Sequence, residues 1–417
     1  MLNIGIIGTG GIAGAHLAGY AAFADRCRVV ALHDAVASRA HAAKASASLD
    51  DADVVAYDEL LTREDVDLVS VCTPPSTHRD LTVDLLRAGK NVLVEKPMAP
   101  SVADCDAMVA AARETGRLLS VVAQNRFRND LAAVKATIDS GLLGPVAHVR
   151  VDSAWWRGTP YYDLEWRGTW RSEGGGPTLN HAIHHVDLLL WMLGRPERVT
   201  AAMTNAWHDN AEVEDLSVSL LEWERTIATL TASVVHHGEE QAFAVQGRDA
   251  AVAQPWSVRA EAPQPNGFPV HGGNPDLVAR IERLAAERVP LDHEGHVGQI
   301  GDVIAALGDG REPAITGEDG RRTVEVVTAV YQAAIERRPV DLPLDPASRW
   351  YTGEALLAQA PRYHRKTRAV ASQEGVISLG GSPDPRVRPH GTGGGVPGRA
   401  PVGNPNLQPT TPKERAR

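Results

Sequence analysis

The stretch Asn3-Ile4-Gly5-Ile6-Ile7-Gly8-Thr9-Gly10-Gly11-Ile12-Ala13 decides the fold. Asn3 to Ile7 reads as a short buried strand, and from Gly8 onward the residues fit G-x-G-x-x-G/A with a helix beginning inside the motif. The first glycine permits a tight turn, the second lets the backbone approach a pyrophosphate, and the small Ala13 allows close packing of helix on strand. A helix start at this place offers free N–H groups to phosphate. Asp34 follows the second strand, where a carboxylate accepts from ribose hydroxyls. Together these features predict a dinucleotide site. Asp34 repels a 2′-phosphate, which favours NAD, and Arg39, a turn into the next helix, offsets that repulsion and leaves NADP open.

Outward from this motif, residues 2 to 122 alternate short apolar runs with helix-period segments, the pattern of βαβ units on a parallel sheet. Strands are expected at Asn3 to Ile7, Arg28 to Leu32, Leu68 to Cys72, Asn91 to Val94 and Leu118 to Val122. Helices are expected at Ile12 to Phe23, Ala35 to Ser46, Thr77 to Ala88 and Ser101 to Thr115. Past Asn125 the character changes. A helix from Asp130 to Ser140 stops at Gly141, and strand-like segments follow with few helices between them: Val146 to Ala154, Arg198 to Asn205, Leu216 to Trp223, Thr226 to Val235 and Ala242 to Gln246. Consecutive strands of this kind predict a mostly antiparallel sheet, with helices near Val297 to Leu307 and Gly317 to Glu336 returning to complete the packing. The expected fold class is therefore α/β plus α+β: a doubly wound Rossmann domain over 1–123 and a substrate-binding α+β domain over 124–345. An extension over 346–365 and a tail over 366–417 follow. About a third of the tail is Gly or Pro, without a repeat, and it carries eight Lys or Arg against three acids, a disordered and basic composition.

With 417 residues the chain exceeds one ordinary core. Its 43% apolar and 23% charged residues are globular values. A net charge of −10 without clustered Lys and Arg in the body argues against a nucleic-acid binder. The three cysteines, Cys27, Cys72 and Cys105, form neither a disulfide framework nor a CxxC pair and fit a reducing, cytoplasmic setting. The N-terminus lacks the positive region of a signal peptide, and the apolar run Val186 to Leu193 is far shorter than the ~20 residues of a membrane span. No membrane partner is expected.

Two later connections lie at the carboxyl ends of their strands, where open α/β sheets bind ligands. In Cys72-Thr73-Pro74-Pro75-Ser76-Thr77-His78 the prolines make a rigid rim, so Thr73, Pro74, Pro75 and His78 join the glycine-loop residues Gly8, Thr9, Gly10, Gly11, Ile12 and Ala13 as candidate cofactor contacts. His78 itself reads as a surface or capping side chain. In Glu95-Lys96-Pro97, Glu95 joins the cofactor set and Lys96 points toward the same crevice, where an ammonium stabilises alkoxide-like charge during hydride transfer.

The segment Gly174-Gly175-Gly176-Pro177-Thr178-Leu179-Asn180-His181-Ala182-Ile183-His184-His185-Val186-Asp187 adds the third element. With it the chain resembles the glucose-fructose oxidoreductase and inositol dehydrogenase (Gfo/Idh/MocA) family over residues 1 to about 345. Members share the glycine fingerprint, an acid after the second strand, Glu-Lys-Pro, and a triple glycine followed by a helix of the form Asp/Asn-x-x-x-His. The resemblance implies Lys96 and His184 as the catalytic pair, with Asn180 as a third polar residue where many members have aspartate. Residues 180 and 184 are four apart, which predicts one shared helical face. An imidazole suits proton acceptance near neutral pH. His181, His184, His185 and Asp187 also invite a metal reading, but the chemistry needs no metal and none is expected. His293-Glu294-Gly295-His296 is one residue short of HExxH.

The aromatic and basic stretch from Trp155 to Arg171 suits a polyhydroxylated ring carrying a carboxylate or phosphate, such as a sugar acid or a nucleotide-linked sugar. Tyr162, Arg167 and Trp170 are the candidate substrate contacts beside Lys96, Asn180, His181 and His184. The predicted activity is an NAD(P)-dependent dehydrogenase acting on a secondary alcohol of a sugar, sugar acid, nucleotide-sugar or cyclitol. The alternatives are an NAD-dependent glycoside hydrolase and a non-catalytic dinucleotide-sensing regulator. A homodimer or homotetramer through the C-terminal sheet is expected.

Overall fold

The computed structural model describes residues 1–371, and the rest of the expected tail lies outside the described residues. The first domain alternates strand and helix: β1 (Leu2–Ile7), α1 (Ala13–Ala21), β2 (Cys27–His33), α2 (Ala37–Ser46), β3 (Asp53–Val54), α3 (Tyr57–Thr62), β4 (Leu68–Val71), α4 (His78–Arg87), β5 (Asn91–Val94), α5 (Val102–Thr115) and β6 (Leu119–Val121). The six strands are parallel in the order β3-β2-β1-β4-β5-β6. The order reverses between β1 and β4, so a ligand crevice opens at the carboxyl ends of these strands, beside the glycine loop. Every residue of β4 is buried, as expected for a strand covered on both faces. Local signals set the helix ends: Ser101 caps α5 by accepting from the Asp104 amide at 3.2 Å, and Gly116 stops it at φ +64°.

The second domain continues with α6 (Asn129–Asp139), β7 (Val146–Ala154), α7 (Pro177–Asn180), α8 (Ile183–Leu193), β8 (Arg198–Thr204), β9 (Leu216–Glu222), β10 (Ile227–Ser233), β11 (Gln241–Gly247), β12 (Ala251–Gln254), β13 (Ser257–Arg259), α9 (Pro275–Glu287), α10 (Gly295–Asp309), α11 (Gly317–Glu336), β14 (Val340–Asp341) and α12 (Glu354–Gln359). Eight strands pair in the order β13-β12-β11-β7-β10-β9-β8-β14, antiparallel except β7 with β10. Helix α11 covers β8 from one side. On the other side the alternation of β9 leaves Val218 and Leu220 exposed, at 45% and 41%, and Ile227 of β10 at 48% stands on the same face by register.

Helix α10 completes the first domain rather than its own. Ile300, Val303 and Ile304 pack with Ile4, Ile6 and Tyr20, and Gly19 is glycine because a Cβ there would meet the Ile300 side chain at 2.3 Å. Buried Gln299 ties the helix to the end of β6, accepting from the Ala123 amide and donating to the Val121 carbonyl. Helix α11 starts on a capping box, Thr316 with Asp319. Several short elements carry no sequence signal: β3, β13 and β14 have two or three residues each, and α9 buries only Ile281.

Two expectations change. Asn180 and His184 do not share a continuous helix: α7 ends at Asn180 and α8 begins at Ile183, with His181 and Ala182 forming a turn. Residues 366–370, expected in the disordered tail, lie against Asn210 and the 162–165 segment through main-chain and side-chain hydrogen bonds.

Candidate active site

Gly8 turns the chain at φ +84°, and a Cβ there would fall 2.8 Å from the Cys72 carbonyl carbon, so the two βα connections touch only because this residue is glycine. Gly10 and Gly14 face the other way: a Cβ on either would meet no atom within 4 Å. They border an open cavity of about 360 Å³ lined by Thr9, Gly10, Gly11, Ala13, Leu17 and Arg39. Ile12 immediately precedes α1, which starts at Ala13 without a side-chain cap. Asp34 sits at the rim. Its Oδ2 accepts from the Thr9 amide (2.8 Å) and hydroxyl (2.9 Å), and its Oδ1 from the Val36 amide (2.9 Å). Burial opposes the charge, but these donors outweigh it and hold the carboxyl below its ordinary value. An open cradle of glycine backbone at a helix start, with an ionised carboxylate beside it, fits a dinucleotide: the loop for the pyrophosphate and Asp34 for a ribose.

The two proline-bearing connections are locked together by His78. Its ring is fully buried and reaches the carbonyl of Pro97 from Nδ1 (3.0 Å) and of Thr73 from Nε2 (2.7 Å). The expectation of a surface or capping His78 is therefore corrected, and the residue acts from behind the cleft wall. Pro75 is buried as well, while Thr73 and Pro74 remain accessible at the rim. Glu95 is also buried beneath the cleft. Its Oε1 accepts from His16 Nε2 (3.0 Å) with His296 Nε2 at 3.6 Å, and its Oε2 accepts from the Lys96 amide (3.1 Å). Burial opposes the charge of this carboxyl, yet the two imidazoles outweigh it and hold the pKa well below the usual carboxylate range. His16 continues the chain through Ser70 Oγ (3.0 Å) to the Tyr20 hydroxyl (2.7 Å).

Lys96 leaves the carboxyl end of β5 and its Nζ donates to the main-chain carbonyl of Asn180 at 2.9 Å. That carbonyl is free because the helix breaks after residue 180. The Asn180 side chain points the other way, its Nδ2 donating to the carbonyls of Gly175 (2.9 Å) and Gly176 (3.3 Å). Burial lowers the Lys96 pKa from its ordinary value, with Glu95 opposing and Arg167 adding to the shift. His184 lines a narrow cavity with Lys96, Met98, Val121 and Ile183. Burial first, then the Lys96 ammonium, holds His184 well below the ordinary imidazole value, so the ring is neutral at physiological pH and can accept a proton. His181 is depressed for the same reasons. Its buried Nδ1 has no partner among the described residues, and neither has that of His185. Asp187 is spent on Arg126, accepting at 2.7 and 2.8 Å, so the histidines do not converge with it on a metal.

The triple glycine has a structural cause. A Cβ on Gly175 would sit 2.0 Å from the Tyr331 hydroxyl, and one on Gly176 would sit 1.9 Å from the Glu214 carbonyl oxygen. The buried Glu214 carboxylate accepts from the Gly176 and Thr178 amides and from Tyr331 (3.0 Å). Burial pushes its pKa up to about 7 against these donors.

On the expected substrate side the two adjacent tyrosines differ in burial. Tyr162 is 1% exposed and belongs to the core, and Trp170 is buried with its Nε1 donating to the Pro361 carbonyl. Tyr161 faces the site instead, its ring 6.1 Å from His181 and 4.2 Å from the Arg167 guanidinium. Arg167 lies between Tyr161 and Trp166 and is paired with buried Glu173 at 2.8 Å. The Trp155 ring lies tilted against His181 with centroids 5.5 Å apart, and its buried Nε1 has no partner among the described residues. Tyr161 and Tyr162 sit in one short helical turn, and nothing local in the sequence says which of the two turns inward. Glu214 and Tyr331 have no local signal either, because Glu214 bonds to Gly176 from 38 residues away and Tyr331 bonds to Glu214 across 117.

A Rossmann domain with an open phosphate cradle, whose Lys96 lines one cavity with a neutral histidine of the α+β domain, defines a nicotinamide-dependent dehydrogenase. The chain belongs to the Gfo/Idh/MocA oxidoreductase family: residues 2–123 match its NAD-binding Rossmann model and residues 131–253 its C-terminal domain model. It is 27% identical to inositol 2-dehydrogenase of Rhizobium meliloti over 347 residues, covering 82% of this chain and 99% of that protein. It is 26% identical to an NADP-dependent scyllo-inositol 2-dehydrogenase of Bacillus subtilis, covering 70% of this chain and 84% of that protein. Among solved structures, the WlbA dehydrogenase of Bordetella pertussis in complex with NADH and UDP-GlcNAcA superposes with a TM-score of 0.71 at 28% identity, over 82% of this chain and 98% of that one. These relatives are dehydrogenases, which favours an oxidoreductase over the hydrolase and regulator alternatives. No helix among the described residues is long and apolar enough to cross a membrane.

Proposed function

We propose that this enzyme oxidises a secondary alcohol of a sugar, sugar acid, nucleotide-sugar or cyclitol at the junction of its two domains, with His184 as proton acceptor and Lys96 as the donor to the reacting oxygen. The observation that carries the reading is the pairing of Lys96 Nζ with the Asn180 carbonyl beside a neutral His184. One carbonyl acceptor leaves the ammonium two further N–H donors for a substrate oxygen. Gly8, Thr9, Gly10, Gly11, Ile12, Ala13 and Asp34 would hold the dinucleotide, which supplies a hydride acceptor for the carbinol carbon. His184 takes the hydroxyl proton, and Lys96 stabilises the charge that develops on the oxygen. Tyr161 offers an aromatic face to the ring, and His181 Nδ1 and Trp155 Nε1 supply polar contacts that no group among the described residues uses. Because Arg167 is already neutralised by Glu173, a neutral polyol is favoured over an anion at this face.

The three buried, unpaired cysteines support a reducing cytoplasmic location. The exposed apolar row of Val218, Leu220 and Ile227 supports a homo-oligomer formed on the open face of the second sheet. The functional test is a panel of myo-inositol, scyllo-inositol, glucose, glucuronate and UDP-glucuronate, followed by nicotinamide absorbance with NAD and with NADP. Lys96→Met and His184→Ala are expected to lose turnover at least a hundredfold while still binding NADH. Full turnover in either variant overturns the role given to that residue.

A further inference from the structure

The connection between β7 and α7, residues 155–176, contains only a short helical turn at Thr159–Asp163, and it carries Trp155, Tyr161 and Arg167 into the proposed substrate site. A connection of this length must find partners for its main-chain groups elsewhere. It finds them in the chain's own last described segment. Lys366 Nζ donates to the carbonyls of Tyr162 and Leu164, and the Val370 amide donates to the Asp163 carbonyl at 2.8 Å. The Glu165 amide donates back to the Val370 carbonyl at 3.0 Å, so Leu164 and Val370 form a parallel β-bridge. Arg368 pairs with Asp163 at 3.1 Å, and Asn210 accepts from the amides of Thr367 and Arg368 while donating to Asp163. Upstream, the Pro361 carbonyl accepts from Trp170. The segment thus closes the connection from outside, at Tyr162 to Glu165, while the adjacent Tyr161 and Arg167 face His181 and one another on the inside. Residues 361–370 lie outside both segments matched by the family models.

We propose that residues 361–370 are a specificity-determining strap, which fixes Tyr161 and Arg167 in place and thereby sets affinity for the polyhydroxylated substrate. The inference rests on the proposed substrate site. Binding energy that the strap provides in advance need not be spent on ordering the loop when substrate arrives. Its loss therefore falls on KM, whereas the dinucleotide cleft and the Lys96–Asn180 contact lie on other elements.

The experiment compares the parent with a chain ending at Ala360 and with two full-length variants, Lys366→Met and Val370→Pro. Val370→Pro removes the donor to Asp163 without shortening the chain, so the test stands if the truncation fails to fold. Hydrogen exchange at residues 159–168, the Glu165 amide above all, reads the loop without any substrate. KM and kcat are measured on the panel compound with the highest kcat/KM, and NADH affinity by fluorescence. Faster exchange and a KM raised at least tenfold, with kcat and NADH affinity within twofold of the parent, are the expected results. Parent-like exchange at 159–168, or an unchanged KM, overturns the strap; so does a parallel loss of KM, kcat and NADH affinity, which marks a general support of the fold. Full turnover in Lys96→Met instead overturns the reading of the site and leaves the exchange result standing.

Discussion

Lys96 Nζ meets Asn180 through the main-chain carbonyl, at 2.9 Å, and not through the amide side chain. The side chain is turned to the glycine loop, where its Nδ2 donates to the Gly175 and Gly176 carbonyls. Asn180→Asp therefore aims a carboxylate at two carbonyl oxygens. It is expected to lower stability by about 1–3 kcal/mol, through two lost hydrogen bonds and the repulsion that replaces them. Asn180→Ala loses only the bonds and should be the milder change, with the Lys96 contact intact. Thermal melts and kcat/KM of both variants check this, and a more active Asn180→Asp enzyme would sink it.

Three histidines on one turn and helix, His181, His184 and His185, have pKa values lowered by burial, His185 to about 4. The folded state keeps these rings neutral while the unfolded chain binds protons from about pH 6.5 downward. Stability is thus fully present above about pH 6.5 and falls as the pH drops toward 4. His185→Leu, at a ring with an orphan Nδ1, should flatten that slope without touching turnover. Urea midpoints between pH 4 and 7.5 measure it; parallel curves for parent and variant contradict the assignment. For the same reason the acid limb of kcat/KM, if set by His184, lies below the ordinary imidazole range.

The first domain was legible because its cause is local: Gly8 to Ala13, the buried strands and Asp34 each declare themselves within a few residues. Lys96 and His184 stand out in the sequence only as members of a pattern, and the fold brings both to one cavity. What the sequence hid is tertiary. The helix break after Asn180 follows from no proline or glycine at 181–183, and it turns an expected side-chain pair into a main-chain contact. Tyr162 and Trp170 look like ligand-binding aromatics until the core and the strap claim them. Glu214 and Tyr331 have no local signature, although they explain two of the three glycines.

The glycines separate into two kinds by experiment. Gly176→Ala places a Cβ 1.9 Å from the Glu214 carbonyl oxygen, a backbone atom that cannot swing away. The variant should be destabilised by more than about 3 kcal/mol or fail to fold, as expected for severe overpacking. Gly10→Ala meets nothing within 4 Å and should melt like the parent. Its methyl instead stands where a phosphate must approach, so NADH affinity should fall at least tenfold. Calorimetry with NADH titration distinguishes the two, and a Gly10→Ala protein that binds NADH normally removes the glycine loop from the cofactor site.

Asp34 also makes a prediction about cofactor choice. Three of its roughly four acceptor positions are taken by Thr9 and Val36, leaving capacity for one ribose hydroxyl and none for a phosphate, whose charge it repels. Asp34→Ser removes the repulsion while leaving a hydroxyl in place, and exposed Arg39 on the cavity wall then becomes available to a 2′-phosphate. The ratio of kcat/KM for NADP over NAD should rise about 10- to 100-fold, the equivalent of ~1.4–2.8 kcal/mol. Adding Arg39→Ala should cancel most of the gain, since the guanidinium is the attractive half of the change. If the double variant keeps the NADP preference, Arg39 has no part in selection, and if Asp34→Ser leaves the ratio unmoved, the carboxylate does not face the 2′ position.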